Sequence, residues 1–87
     1  MSIRVELTYD MSKALGLRTF ELDAATTVSD VVEQTQARFK EGGDQFATLA
    51  RVAAIAVNGV LTSHRKGMKT KLRDGDRVGF VKAAAGG

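Results

Sequence analysis

The 87-residue chain contains no cysteine and no proline, and only one histidine. Without cysteine there can be no disulfide, no thiolate metal site and no cysteine nucleophile. The lone histidine, His64, falls in a polar stretch beside Arg65 and Lys66. It has no Asp, Glu or Cys neighbour at ligand spacing, so it reads as a solvated side chain and no metal site is expected. No apolar run approaches the ~18 residues of a membrane span. The opening Met1-Ser2-Ile3-Arg4-Val5-Glu6 has no basic segment leading into an apolar stretch. No signal peptide is therefore expected, and the expected location is cytoplasmic. Ser29 and Ser63 lack an accompanying base, and the glycines follow no phosphate-loop spacing. Intrinsic enzyme activity is not expected.

Hydrophobic residues make up 44% of the chain and charged residues 26%, the balance of an ordinary globular protein. The length suits one domain. The net charge is +3, and Arg65, Lys66, Lys69, Lys71, Arg73, Arg77 and Lys82 all fall in the last quarter. Asp74 and Asp76 interrupt that cluster, which also lacks the interleaved aromatics that stack bases in single-strand binders. A solvated basic face that steers an acidic protein partner is favoured over a nucleic-acid footprint.

Ile3, Val5, Leu7 and Tyr9 alternate with polar residues, the period of a half-buried strand. Asp10 to Gly16 reads as a connection, and Leu17 to about Leu22 as a second strand, giving an N-terminal hairpin. The period then lengthens. Thr27-Val28-Ser29-Asp30 reads as an N-cap with an acid at N3, and Val28, Val31, Val32, Thr35 and Phe39 share one helical stripe. This helix is expected to run to about Lys40 and to stop at Gly42-Gly43. Asp44 to Arg51 is expected as a short second helix capped by Asp44. The apolar run Val52 to Val57 predicts a strand buried on both faces. Asn58-Gly59 is its turn, Val60-Leu61 a brief strand, and residues 62–71 a basic loop. Asp74-Gly75-Asp76 is a tight turn of the kind that Asp readily makes through its side-chain hydrogen bonds. Arg77 to Lys82 is the final strand, expected to be central, with Val78 and Phe80 on one face. The order predicts an α+β fold of two layers, with one main helix and a short second helix against a mixed sheet of four to five strands.

Residues 1–82 are the expected domain and residues 83–87 a flexible tail. Beyond Lys82, no side chain is larger than a methyl group. At ~3.3–3.6 Å per residue, the stretch after Val81 spans roughly 20 Å. Glycine at Gly86 and Gly87 lets the walls of another protein close around the backbone. A carboxylate on such a tether reaches a buried active site that the body cannot enter.

The ordered pieces resemble the β-grasp family that includes ubiquitin and the sulfur carriers MoaD and ThiS. They are the N-terminal hairpin, the helix start Thr27-Val28-Ser29-Asp30-Val31-Val32, the segment Ala56-Val57-Asn58-Gly59, and Leu72-Arg73-Asp74-Gly75-Asp76-Arg77-Val78-Gly79-Phe80 leading to Ala85-Gly86-Gly87. The last combination is similar to the ending of the MoaD branch. MoaD tails often carry prolines before the glycines, where this chain has Lys82-Ala83-Ala84-Ala85.

The resemblance implies a mechanism in which chemistry is performed on the chain. An E1-like adenylating enzyme of the MoeB/ThiF type, using ATP and magnesium, activates the carboxylate of Gly87. A sulfur donor then displaces AMP and leaves a thiocarboxylate. The chain itself is implied to bind no cofactor. Gly86, Ala85 and Ala84 would thread the partner's channel, and Phe80, Val60 and Arg77 would form the docking surface. In the MoaD branch the recipient is a MoaE-like large subunit in molybdopterin biosynthesis. Two other readings share the activation step. One is a ubiquitin-like modifier joined to lysines through Gly87, the other a sulfur carrier for thiamine, cysteine or tRNA thiolation. A plain interaction module with incidental glycines is a third class.

Overall fold

The structure, a computed structural model, describes residues 1–82. Its elements are β1 (Ile3–Glu6), α1 (Tyr9–Leu15), β2 (Thr19–Leu22), α2 (Val28–Arg38), α3 (Gly43–Val52), β3 (Ala54–Val57), β4 (Val60–Leu61) and β5 (Arg77–Val81). Two 3-10 turns, Thr62–His64 and Gly67–Lys69, lie between β4 and β5 where a plain loop was expected. The strands form one sheet in the order β2-β1-β5-β3-β4. β1 and β5 run parallel and every other pair is antiparallel. The final strand is central, as expected, and the helices cover one face of the sheet in a two-layer α+β arrangement of the β-grasp type.

The connection between β1 and β2 is not a loop. Thr8 adopts an extended backbone and its Oγ1 accepts the Met11 N–H at 3.2 Å, which starts a helix. Met11 is fully buried, and Gly16 closes the helix at φ 83° with its N–H on the Ser12 carbonyl. The strand alternation therefore ends at Leu7. Tyr9 points outward at 71% exposure instead of extending the apolar face.

α2 begins at the expected capping box. Thr27 Oγ1 accepts from Asp30 N–H at 3.1 Å, and Asp30 Oδ2 accepts from the Thr27 N–H at 3.1 Å. An N-cap of this kind is worth about 0.5–2 kcal/mol. The helix stops at Arg38, and Phe39 is already extended. Phe39 still packs inward, edge-on to Phe20 with ring centroids 5.3 Å apart, and Arg38 lies over both rings.

The helix expected over Asp44 to Arg51 is present as α3, but Asp44 does not cap it. α3 has 10 residues against 11 in α2, and its N-cap is Gly42 at φ 84°. A Cβ at Gly42 would collide with the Ala14 carbonyl, and one at Gly43 would sit 2.5 Å from the Gln36 carbonyl. The glycine pair is thus a close-contact point where α3 meets both α1 and α2. Because α3 continues through Val52, β3 starts only at Ala54, and Val52 is left 70% exposed. β3 is buried on one face, through Ile55 and Val57, while Ala54 and Ala56 are half-buried on the other.

The core lies between the sheet and the helices. Phe46, Ile3, Met11, Val5, Val28, Val31 and Val78 are fully buried there, along with Thr35. Each large apolar side chain contributes roughly 1.5–3 kcal/mol through removal from water. Phe46 meets Phe80 in a T-shaped contact, centroids 5.4 Å apart, which ties α3 to β5.

Candidate docking face along the central strand

β5 alternates strictly. Val78 and Phe80 point into the core, and Arg77, Gly79 and Val81 lie on the face away from the helices. Phe80, expected on the docking surface, thus turns its side chain to the core. Phe80 is only 6% exposed with its ring against Phe46, so the chain's own core occupies it. The large apolar side chain that β5 offers to solvent is Val81, 51% exposed. The signal was present in the sequence, since a strand that buries Val78 and Phe80 must turn Val81 outward.

The open face around β5 is completed by Arg4 and Glu6 of β1 and Ala54 and Ala56 of β3. The Glu6 carboxylate sits between Arg4, at 3.7 Å, and Arg77, at 3.9 Å. These exposed pairs contribute about 0–1 kcal/mol each. Their effect is to pattern the surface. At the end of the strand, Lys82 approaches Asp10 of α1 at 4.0 Å.

Gly79 opens a depression of about 440 Å³ whose lining includes Glu6, Arg18, Ala56, Arg77, Phe80 and Val81. A Cβ at Gly79 would meet only Glu6 Oε1, at an ordinary 3.8 Å, and its φ is not positive. Neither crowding nor backbone strain requires glycine here. Glycine inside a central strand weakens it, and it is often found where a ligand or another backbone approaches closely.

Of the docking residues expected from sequence, Arg77 lies on this face. Val60 is 41% exposed on the edge strand β4, opposite Val57 and two strands away from β5. Ala84, Ala85, Gly86 and Gly87 lie outside the described residues.

The two turns flanking the face hold it in register. Asn58 Nδ2 donates to Asp76 Oδ1 at 2.9 Å, and Asn58 Oδ1 accepts from the Arg77 N–H at 2.9 Å. Asp76 Oδ2 accepts from the Arg73 N–H at 2.8 Å. Asp74 Oδ1 accepts from the Ser2 N–H at 2.7 Å, and the Gly75 N–H donates to the Ser2 carbonyl at 2.8 Å. The Asn58-Gly59 and Asp74-Gly75-Asp76 turns are thus bonded to each other and to the start of β1. The Asp76 carboxyl is held below its usual value, chiefly by the Arg73 backbone N–H and next by the Asn58 side chain, with the charges of Arg73 and Arg65 adding to this. It is a fixed anion in a turn. His64 is exposed, and no group of three or more potential metal ligands occurs among the described residues. No helix among them is long and apolar enough to cross a membrane.

Solved structures share the fold. Small archaeal modifier protein 1 from Methanosarcina acetivorans superposes with a TM-score of 0.81 at 20% identity, over 99% of this chain and 96% of that one. The Amycolatopsis orientalis BexX/CysO complex contains a chain that matches at 0.78 and 21% identity, over 98% of this chain and 99% of that one. The complex of subunits 1 and 2 of the molybdopterin-converting factor from Helicobacter pylori 26695 contains one that matches at 0.66 and 24% identity, over the full length of both. No curated protein sequence matches significantly. The ThiS family model, in contrast, matches residues 10–87, nearly the whole sequence, and the chain belongs to the ThiS family of ubiquitin-like sulfur carriers.

Proposed function

We propose that this chain carries sulfur as a thiocarboxylate on Gly87, and that partner enzymes form and use it. The observation that carries this reading is the family match, which continues past the described domain through Gly86 and Gly87. The position of β5 supports it, because the strand that leads to those residues is the central one and presents Arg77, Gly79 and Val81 on an uncovered face. In this reading an E1-like enzyme docks on that face. The Gly87 carboxylate attacks the α-phosphorus of ATP, magnesium-bound in the partner, and pyrophosphate leaves. A sulfide-level nucleophile then attacks the acyl carbon, a C–S bond forms, the C–O bond to phosphate breaks, and AMP departs. The mixed anhydride is needed because a free carboxylate is a poor electrophile.

The recipient proposed first is a large subunit of the MoaE type in molybdopterin biosynthesis, supported by the likeness to a chain of the Helicobacter pylori converting-factor complex. The likeness to an archaeal modifier protein favours a second outcome, transfer of Gly87 to lysine amines. Intact-mass analysis of protein recovered from its native host distinguishes these readings. A fraction in which sulfur replaces one oxygen, localised to Gly87, is expected. Its absence when the activating enzyme and sulfur donor are both present would refute the carrier reading. Peptide mapping that finds Gly87 in isopeptide linkage would establish the modifier outcome.

A further inference from the structure

On the helical side, away from the face just described, α2, α3, β3 and the two 3-10 turns enclose an open groove of about 660 Å³. Its apolar lining includes Val32, Ala50, Ile55, Leu61 and Met68. Small side chains at Ala47, Ala50 and Ala53 leave the room that larger residues would fill. Leu61 and Met68 remain 39% and 44% exposed there. Methionine is unbranched and polarizable, and it adapts to differently shaped apolar partners.

The charges around the groove are uneven. Arg51 lines it, and Lys66 and Lys69 flank the Gly67-Met68 pair that closes one side. All three are exposed, and none lies within 4.0 Å of a carboxylate among the described residues, where the ion pairs involve Arg4, Arg77 and Lys82. Glu33 is the one carboxylate in the lining. An apolar trough with Arg51 in its lining, and with Lys66 and Lys69 exposed on either side of its Gly67-Met68 wall, complements an apolar side chain flanked by acids.

We propose that this groove docks an acidic, leucine-bearing segment of a partner protein, with apolar side chains seated between α2 and Met68 and carboxylates answering Arg51, Lys66 and Lys69. Arg77, Gly79 and Val81 of the β5 face are not part of the groove lining, although Ala54 borders both. The inference rests on the groove alone and is independent of sulfur transfer.

The test is titration of the 15N-labelled full chain with a short peptide of alternating leucine and aspartate, and with its counterpart carrying lysine in place of aspartate. The aspartate peptide is expected to shift the amides of Val32, Ala50, Leu61 and Met68, and to bind more weakly as salt is raised. The lysine peptide should bind at least about tenfold more weakly, and R51E/K66E/K69E should reverse that preference while preserving the amide spectrum of the fold. Equal binding of both peptides would overturn the proposal. So would shifts confined to β1 and β5, or no shifts at millimolar peptide. A single-stranded oligonucleotide that moves the same amides more strongly than the aspartate peptide would overturn it in favour of nucleic acid.

Discussion

Substituting Gly79 separates what the fold needs from what a partner needs. The glycine lies in the central strand, yet a Cβ there meets only the end of the Glu6 side chain, at 3.8 Å. Gly79→Ala should therefore stabilise the isolated chain by roughly 0.5–1 kcal/mol, chiefly by narrowing the unfolded ensemble. At ~4–8 °C per kcal/mol for a domain of this size, that is a rise in melting temperature of roughly 2–8 °C. Gly79→Val should be at least as stable as the wild type, since β-branched side chains suit strands. Both variants place carbon in the depression between Arg77, Ala56 and Val81. Partner recognition should fall in the order glycine, alanine, valine, with kcat/KM for adenylation of Gly87 reduced about tenfold or more for valine. Thermal melts and an adenylation assay with the activating enzyme give the two readouts. A destabilised Gly79→Ala would show that the glycine serves the fold. A stable Gly79→Val adenylated at the wild-type rate would refute docking on this face.

Thr35 offers a stability test in the core. Its side chain is fully buried and its hydroxyl has no hydrogen-bond partner. Thr35→Val should raise stability by about 1 kcal/mol, because an unsatisfied buried hydroxyl costs ~1–3 kcal/mol; a lower urea midpoint would mean that the hydroxyl is bonded. The carboxyls of Asp30 and Asp76 are both held below their ordinary value, the first chiefly by the Thr26 backbone N–H and the second by that of Arg73. Lowered folded-state values mean that their stabilisation is complete above about pH 4 and is lost as pH falls through the folded value. Asp76→Asn should therefore flatten the acid limb of the urea midpoint below about pH 4 and leave its shape above pH 5 unchanged, and an acid limb as steep as the wild type's would contradict this. Val81→Asp should leave the melting temperature within a few degrees of wild type, since the residue is half exposed. Binding to the activating enzyme, followed by calorimetry, should weaken about tenfold or more, and undiminished affinity would remove Val81 from the interface.

What the sequence disclosed follows from how far each signal reaches. The capping box at Thr27 and Asp30, the Asn58-Gly59 turn and the central final strand rest on local chemistry or dense apolar pattern, and all three are present in the structure. α1 was hidden because it is two turns long and buries a single residue fully, Met11, so no helical period accumulates. The alternation of Ile3, Val5 and Leu7 also runs on to Tyr9 by coincidence, masking Thr8 as a cap. The start of α3 was misplaced because Gly42 caps it through a left-handed backbone conformation and contact with α1, which is a tertiary fact. The burial of the Phe80 side chain follows from the strand's own period. Val81 was within reach of that period. The empty space above Gly79 was not, since a glycine in a sequence does not say whether its neighbours crowd it.

The placement of β5 also has a mechanical consequence. The strand is hydrogen-bonded along both edges, parallel to β1 on one side and antiparallel to β3 on the other. A pull applied beyond Lys82, in the direction of the strand, loads both ladders lengthwise, so their bonds must yield together instead of opening singly from one end. A terminal hairpin would peel under the same force. An enzyme that gripped the residues following Lys82 would therefore be tugging on a strand held from both sides. Under such traction the described domain would resist until both ladders gave way together.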